Sequence, residues 1–211
     1  MGFDKKQGEK MSFIVGTVGR MENIEAFVSA QDTVKRVAGD LGATSVRASQ
    51  TIMGGEAQGN VQVAFETDTM DQAMAVGSGM VKSSEIRDMM GAAGASVLRR
   101  SLMMVVARAG EMSGAFASGL MMRSDMTPDQ ANADIDRAFA NMSEGANGMS
   151  IAQVIATGPS PMGTHYVVTY TDSIDQLMAA SAKNFADSTT KNTMAATNTS
   201  VVGRVLNEVL F

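Results

Sequence analysis

The feature that most constrains this fold is an internal repeat at an offset of 104 positions. The segment DTMDQAMA, which begins at Asp68, recurs as DSIDQLMA from Asp172, and the same register holds without a gap over residues 45–102. The register also aligns Arg100 with Arg204. Chance similarity rarely keeps one register through several elements, so the sequence predicts one structural unit present twice.

Each copy has the same predicted order of elements: strand, helix, strand, strand, helix, strand. Alternating apolar residues predict the strands, and apolar residues at helical spacing predict the helices. The first copy has predicted strands at 12–18, 44–53, 61–67 and 96–106 and helices at 23–41 and 69–90. The second has predicted strands at 114–122, 149–157, 165–171 and 200–210 and helices at 128–142 and 173–194. Gly77 and Gly79 predict a bend or break in the second helix of the first copy.

Several of these helices carry a clear start signal. Thr69 and Ser173 each precede a glutamine by three residues, as in a capping box, and Thr127 precedes a proline at the first helical position. Acidic pairs recur at two of these starts, where the helix dipole accounts for them: Asp68/Asp71 and Asp172/Asp175. We therefore assign these carboxylates to helix capping rather than to chemistry.

The predicted fold class is α+β, with two ferredoxin-like βαββαβ repeats at residues 11–106 and 114–211 and a connection at 107–113. Residues 1–10 are polar and are expected to form a flexible arm. A four-stranded antiparallel sheet with helices on one face leaves its other face bare. Two such sheets can cover each other and close an α/β barrel with the helices outside, within one chain or between chains.

This element order resembles the dimeric α/β barrel superfamily, with both protomers fused into one chain. The resemblance covers nearly all of the chain and rests on element order rather than on a sequence motif. The superfamily includes cofactor-free monooxygenases, haem-degrading enzymes, muconolactone isomerases, stress-responsive barrel proteins and chlorite dismutase-like haem proteins. The resemblance implies a pocket for a small molecule, and haem as the cofactor in one branch, but it does not select an activity.

Composition excludes several other classes of protein. The absence of cysteine excludes disulfides, thiolate catalysis and Cys-ligated metal centres. The net charge of -5 disfavours nucleic acid or an anionic membrane as the main partner. With no apolar run of signal-peptide or membrane-spanning length, we expect a cytoplasmic protein. The 20 methionines and low aromatic content suit adaptable packing, and we expect a homo-oligomer.

His165 is the only histidine and opens a predicted strand. It is the candidate catalytic residue, as a general base or as a haem ligand at a barrel mouth. The alternative is a strand histidine whose ring is satisfied by a neighbour. Val61 occupies the equivalent position in the first copy, so the repeat contains no symmetric two-histidine site. With no second histidine, we expect no metal and no obligatory cofactor, and haem remains the alternative.

Two arginines and two tyrosines are the candidate ligand-binding residues. Arg100 and Arg204 occupy the same register of the last strand in each copy, and they could clamp a carboxylate or phosphate. Alternatively each arginine pairs within the protein, for example with Glu66, or extends to the rim. Tyr166 and Tyr170 share one strand face and could line a pocket. Their counterparts are Gln62 and Glu66, so that face is predicted to be partly polar in both halves.

The leading functional prediction is a small-molecule-binding barrel between sheet and helices. It could be a cofactor-free enzyme, oxygenase-like or isomerase-like, acting on an apolar or carboxylated compound. A non-enzymatic self-assembling protein and a haem-binding barrel are the alternatives. Because His165, Tyr166 and Tyr170 do not recur in the first copy, a single active pocket is expected in the second half.

Overall fold

In the computed structural model, which describes residues 11–158 and 163–211, eight strands form one closed barrel. The strands are β1 (Ser12–Arg20), β2 (Ala43–Met53), β3 (Val61–Thr67), β4 (Ser96–Gly110), β5 (Phe116–Arg123), β6 (Gly148–Ala156), β7 (His165–Thr171) and β8 (Ser200–Val209). The barrel therefore closes within a single chain. The arm predicted at residues 1–10 lies outside the described residues.

The strand order confirms the tandem ferredoxin-like prediction. Around the barrel the order is β1-β3-β2-β8-β5-β7-β6-β4, so each repeat contributes four adjacent strands in the sequence fourth, first, third, second. All neighbouring strands are antiparallel. The two repeats meet at two seams, one between β2 and β8 and the other between β4 and β6.

The helices pack on the outer face of the barrel, where their apolar sides meet the outward side chains of the strands. They are α1 (Ile24–Ser29), α2 (Gln31–Asp40), α3 (Met70–Gly79), α4 (Ser84–Ala92), α5 (Pro128–Met142), α6 (Ile174–Ala186) and α7 (Ser188–Ala196). The capping box predicted at Thr69 starts α3, and Thr127, predicted as the N-cap of α5, also forms a full box with Gln130. At Ser173, where a box was predicted, the structure has the half in which the side chain accepts from Gln176. No helix in the described ranges has the length and apolar character that crossing a bilayer requires.

Two helices that the sequence predicted as continuous are divided in the structure. Residues 23–41 form α1 and α2, and residues 173–194 form α6 and α7. The break predicted in the first copy is confirmed, because a short 3₁₀ turn (Met80–Lys82) separates α3 from α4. The second copy breaks at the equivalent place although it lacks the two glycines.

Strand β4 is longer than predicted and removes most of the expected connection. It continues past residue 106 to Gly110, and Ala107 pairs with Ile151 of β6. The reason is the alternation of small or apolar residues, which continues through this stretch and gives β6 a partner strand. Gly110 then ends the strand in a left-handed conformation with φ 73°, where a Cβ would overlap the carbonyl of Asn147.

The register of the strands locates the one insertion between the repeats. Gly16 of β1 lies opposite Ala64 of β3, and Gly119 of β5 lies opposite Val168 of β7. The two glycines are thus structural equivalents, yet they are one position closer in the chain than Ala64 and Val168. β2 and β6 show the same shift against β3 and β7. The structural offset between the repeats is therefore 103 residues in their first two strands and 104 from the third strand onward. The second repeat has one additional residue between β6 and β7.

The carboxyl terminus of the second repeat docks on the first. Phe211 accepts a hydrogen bond from the backbone nitrogen of Ala48 at 2.8 Å, beyond the last paired residue of β8. Its ring lies 5.3 Å from the ring of Phe27, and the Lys35 ammonium lies 4.8 Å from its centroid. The apolar core of the first repeat therefore includes a residue supplied by the end of the chain.

Candidate functional site

The inner face of the barrel encloses a cavity of about 730 Å³, here called the lumen. This volume lies in the range of small-molecule sites, roughly 300–1,000 Å³. Strands of both repeats line it, and the exposed residues Glu56 and Leu98 lie at its rim. Two much smaller cavities, of about 80 and 110 Å³, lie between the sheet and the helices of the first and second repeats. The largest of these three cavities therefore lies between the two halves, whereas the sequence predicted a pocket between the sheet and the helices of the second half.

A hydrogen-bond network crosses the middle of the lumen. The Tyr166 hydroxyl donates to Oε1 of Gln62 at 3.2 Å. The Gln62 amide in turn donates to Oγ1 of Thr51 at 3.1 Å and to Oδ1 of Asn207 at 3.3 Å, and Thr51 also donates to Asn207 at 2.8 Å. Tyr166 and Gln62 are equivalent positions of the two repeats, so their contact lies where the two halves face each other across the barrel.

Tyr166 has this position because the neighbouring strand, β5, carries a glycine. A Cβ at Gly119 would overlap the tyrosine hydroxyl. At the equivalent Gly16, an added Cβ would meet the end of the Met103 side chain at 3.0 Å. The two small residues let large side chains from neighbouring strands extend over the lumen-facing backbone.

Toward the opposite end of the lumen from the rim, a buried carboxylate is held by two arginines. Glu66 Oε1 accepts hydrogen bonds from Ser12 at 2.7 Å and from Arg108 at 2.9 Å. Its Oε2 accepts a longer one from Arg47 at 3.4 Å. Burial alone would raise the pKa of Glu66, but the Ser12 hydroxyl and the two guanidinium groups outweigh it and lower the pKa below its ordinary value. Glu66 is therefore ionised at neutral pH.

The two lumen tyrosines are neutral phenols. Burial raises the pKa of Tyr166 to about 12. Burial also raises the pKa of Tyr170, against the opposing influence of Arg47 and Arg108. Both hydroxyls can therefore donate hydrogen bonds at neutral pH, and neither supplies a phenolate base. The structure places both tyrosines, which were predicted to share one strand face, on the lumen wall.

His165 lies outside the lumen. It alternates with Tyr166 on β7, so its ring faces the helix side of the sheet, and the residue is 2% exposed. Its Nδ1 lies 3.0 Å from the hydroxyl of Thr164, and the ring also hydrogen-bonds the backbone of Met126. Burial lowers the pKa of His165, against the effect of that backbone contact. The geometry matches the alternative of a histidine satisfied by its neighbours.

Arg100 and Arg204 also face the helices. Arg100 donates to the carbonyl of Gly77 at 3.0 Å, and Arg204 donates to the hydroxyl of Ser181 at 2.7 Å. Gly77 and Ser181 are equivalent positions, so both arginines bridge the last strand to the same turn of the packed helix. The Glu66 partner considered for Arg100 instead binds the two other arginines. Each of the two candidates borders the small cavity of its own repeat, and the structure does not bring them together.

The sequence reasoning missed the arginines that do line or support the lumen. Arg47 and Arg99 border the cavity, and Arg108 holds Glu66 from β4. A signal was present on β2, where Ser45, Arg47, Ser49 and Thr51 fall on one face of the strand and Val46 and Ala48 on the other. A strand face that carries polar side chains throughout indicates a wet surface or a polar cavity.

Comparison with known proteins supports the fold and no closer relationship. Neither a protein-family model nor a curated protein sequence matches this chain. Among solved structures, a variant of chlorite dismutase from Candidatus Nitrospira defluvii has a TM-score of 0.57 at 8% identity, over 94% of this chain and 90% of the other. An anthrone oxidase-like protein has a TM-score of 0.56 at 10% identity, over 96% and 92%.

A third solved structure, of a haem-binding protein from Thermus thermophilus, has a TM-score of 0.54 at 6% identity, over 94% of this chain and 90% of the other. At such identities the likeness shows the fold alone. The chain has the chlorite dismutase-like, dimeric α/β barrel fold, with two ferredoxin-like units in tandem. The resemblance inferred from element order is thereby confirmed at the level of fold.

Haem, which this fold suggests as a cofactor, finds no histidine ligand in the three cavities described above. Protein-bound haem takes a histidine, a thiolate or a tyrosinate as axial ligand, and methionine serves opposite a histidine. His165 borders none of those cavities, and its ring is bonded to Thr164 and Met126. Tyr166 reaches the lumen but is held protonated. Within the described residues, no cluster of three or more histidine or acidic side chains could hold a metal ion.

Proposed function

We propose that this protein binds a small organic molecule in the lumen of its barrel. The observation that carries the proposal is the cavity itself, about 730 Å³ in volume and lined by both repeats. Its wall combines apolar side chains with polar groups that can orient a ligand, as small-molecule sites do. The similarity to proteins described as oxidase-like and haem-binding also supports a barrel that holds small molecules.

Binding has more support from the side chains than catalysis does. His165 does not border the lumen, the two tyrosines are protonated, and Glu66 is already held by three donors. A cofactor-free reaction would need a base or a reactive group at the ligand, and Glu66 is the ionised carboxylate nearest to that role. We therefore propose a ligand-binding barrel, with oxygenase-like or isomerase-like chemistry as an extension to be tested on whatever ligand is found.

The test fills the lumen and measures binding of a neutral fluorescent probe, N-phenyl-1-naphthylamine. Ala64 lines the lumen from the first repeat and Val168 from the second. We expect the wild-type protein to bind the probe and Ala64→Phe and Val168→Phe each to abolish or strongly weaken binding. Ala75→Phe, at an exposed position of α3, is the matched control and should bind as wild type does.

Circular dichroism and a melting curve for each variant verify that the barrel is folded. If folded variants from both sides of the lumen bind the probe like wild type, the probe lies elsewhere. That result would contradict the proposal that the lumen is the binding site.

A self-assembling protein remains the alternative, and one observation favours it. Val97 and Leu98 of β4 and their equivalents Val201 and Val202 of β8 are exposed apolar residues at the same end of the barrel. The pairs lie on opposite sides of the barrel, and exposed apolar side chains of this kind can mark an interaction surface on each repeat. Light scattering across a range of concentrations tests this alternative, and a monomer at all concentrations contradicts it.

A further inference from the structure

We propose that the natural ligand of the lumen is an organic anion, whose acidic group is held by Arg47 and Tyr170 and whose body extends from them along the apolar part of the lumen wall. The inference rests on the lumen being a binding site. It adds the chemical class of the ligand and the two side chains that recognise it.

The first argument is the balance of charge at this end of the lumen. Glu66 contributes one negative charge, and Arg47 and Arg108 contribute two positive ones. Glu66 is 7% exposed, so this group lies where water screens charges poorly. A cluster with one excess positive charge, in a partly enclosed cavity, favours a bound anion.

The second argument is that Arg47 is the less engaged of the two arginines. Ser12 and Arg108 hold Oε1 of Glu66 at 2.7 and 2.9 Å, whereas Arg47 reaches Oε2 at 3.4 Å. A guanidinium carries five N–H donors, and this one long contact is the ion pair that Arg47 makes among the described residues. Arg47 also borders the cavity, so its remaining donors are available to a ligand carboxylate or sulfonate.

The third argument is a hydroxyl beside the same groups. Tyr170 borders the lumen, and its electrostatic environment is set by Arg47, Arg108 and Glu66. Unlike Tyr166, it makes no side-chain hydrogen bond within the described residues, although its ring is largely buried. Its strand neighbours are Gly148 and Ala117, and neither has a polar side chain that could bond the hydroxyl. A neutral phenol next to a guanidinium provides a second donor to an anion.

The rest of the lining suits an apolar ligand body. The other charged side chains that border the lumen are Arg99 and, at the exposed rim, Glu56. Beside the central hydrogen-bond network, the lumen wall also has apolar side chains, among them Met103, Met121, Val168 and Val205. A whole chain of net charge -5 thus places positive charge and apolar surface together inside its barrel. This combination favours an amphipathic acid over a free inorganic anion, which would leave the apolar wall without a partner.

The experiment compares two probes that differ by one acidic group: 8-anilinonaphthalene-1-sulfonate and the neutral N-phenyl-1-naphthylamine. We expect the wild type to bind the sulfonate more tightly than the neutral probe. Arg47→Gln should weaken sulfonate binding by about tenfold or more, the usual effect of losing a hydrogen bond to a charged group, and change neutral-probe binding less than about twofold. Tyr170→Phe, which keeps the ring, should weaken the sulfonate selectively but less. Arg123→Gln, an exposed arginine that borders none of the three cavities, is the charge-matched control and should leave both affinities unchanged.

The outcomes separate this inference from the function it rests on. If the neutral probe binds in the lumen but the sulfonate binds no more tightly, or if Arg47→Gln weakens both probes equally, the anion assignment is wrong and lumen binding stands. If neither probe binds the folded wild type, both proposals are contradicted. Because Ser12 and Arg108 still hold Glu66 in Arg47→Gln, this variant is expected to fold, and Arg47→Lys should restore part of the sulfonate preference.

Discussion

At the scale of single residues, the histidine shows why a rare residue is a poor guide to function in this chain. His165 begins β7 and faces the helices, where the equivalent residue of the first repeat, Val61, is 1% exposed. The position belongs to the packed layer between sheet and helices in both halves. A side chain there is selected for fitting that layer, and the ring satisfies its nitrogens locally with Thr164 and Met126.

This placement predicts a pH dependence of stability that a single substitution should remove. Burial lowers the pKa of His165 below its ordinary 6.5, so the unfolded chain takes up a proton at a higher pH than the folded protein does. The stability contribution of the neutral ring is complete above pH 6.5 and is lost as pH falls from there through the lowered folded-state pKa. We expect denaturant-derived unfolding free energies to decrease over this interval in wild type.

His165→Val, which installs the residue of the first repeat, should fold and show a flatter profile between pH 6.5 and 5. Since the chain has one histidine, no other imidazole can produce the difference. A profile in the variant as steep as that of wild type would show that the ring is not the titrating group. A Soret band that appears with haem in wild type and disappears in the same variant would restore the haem-ligand role.

At the scale of elements, the period of the apolar residues predicted the strands well and the breaks within helices poorly. Strands leave a period of two that survives single changes, and β7 was predicted to the residue. The break between α6 and α7 left no glycine signal. It depends on Asp187, which accepts a hydrogen bond from the backbone nitrogen of Thr190 at 2.8 Å and pairs with Arg137 at 3.0 Å. In the sequence, an aspartate within a helical pattern looks like an exposed helix residue. Its role as a cap depends on tertiary partners that the sequence does not show.

The caps at the α3–α4 and α6–α7 breaks predict that two alanine substitutions differ in their effect on stability. Ser83 and Asp187 are equivalent N-caps of α4 and α7, but the Ser83 hydroxyl accepts its backbone hydrogen bond at 3.5 Å. Asp187→Ala loses a shorter hydrogen bond and an ion pair, so it should lower the urea midpoint more than Ser83→Ala does. The hydrogen bonds from Thr190 and the charge of Arg137 lower the pKa of Asp187 below its ordinary 3.8. As pH falls below 3.8 the carboxylate becomes protonated, so the difference in urea midpoint between the two variants should become smaller. Equal midpoints at neutral pH would contradict the assignment of Asp187 as the stronger cap.

At the scale of the whole molecule, the sequence predicted the two units but not what their union creates. The lumen exists only where both inner faces meet. The arginines that border it come from β2 and β4 of the first repeat, whereas its tyrosines come from β7 of the second. Reading one copy at a time therefore directed attention to His165 and to Arg100 and Arg204, which face outward. The face that carries Glu66 was predicted to be partly polar, but Arg47 was not singled out until closure of the barrel placed it inside.

The lengths of the two seams also predict which of them opens first when the barrel unfolds locally. Strands β4 and β6 are paired from Leu102 to Gly110, whereas β2 and β8 are paired over the shorter stretch from Ser49 to Met53. Beyond that stretch, the second seam is extended by Leu210 and Phe211, which bond the backbone of Ala48. We therefore expect the β2–β8 seam to open at lower free energy than the β4–β6 seam, and Phe211 to be its main apolar contact with the first repeat.

Phe211→Ala should destabilise the protein by about 1–3 kcal/mol, less than for a fully buried phenylalanine because the ring is half-buried. Native-state hydrogen exchange should show faster exchange of the β2 and β8 amides at this seam, with the β4–β6 amides little changed. Val201→Ala, at an exposed apolar position of the same strand, is the control and should change stability by less than about 0.5 kcal/mol. Equally faster amide exchange at both seams would mean that the barrel opens as one cooperative unit. Phe211 would then stabilise the whole barrel rather than the β2–β8 seam in particular.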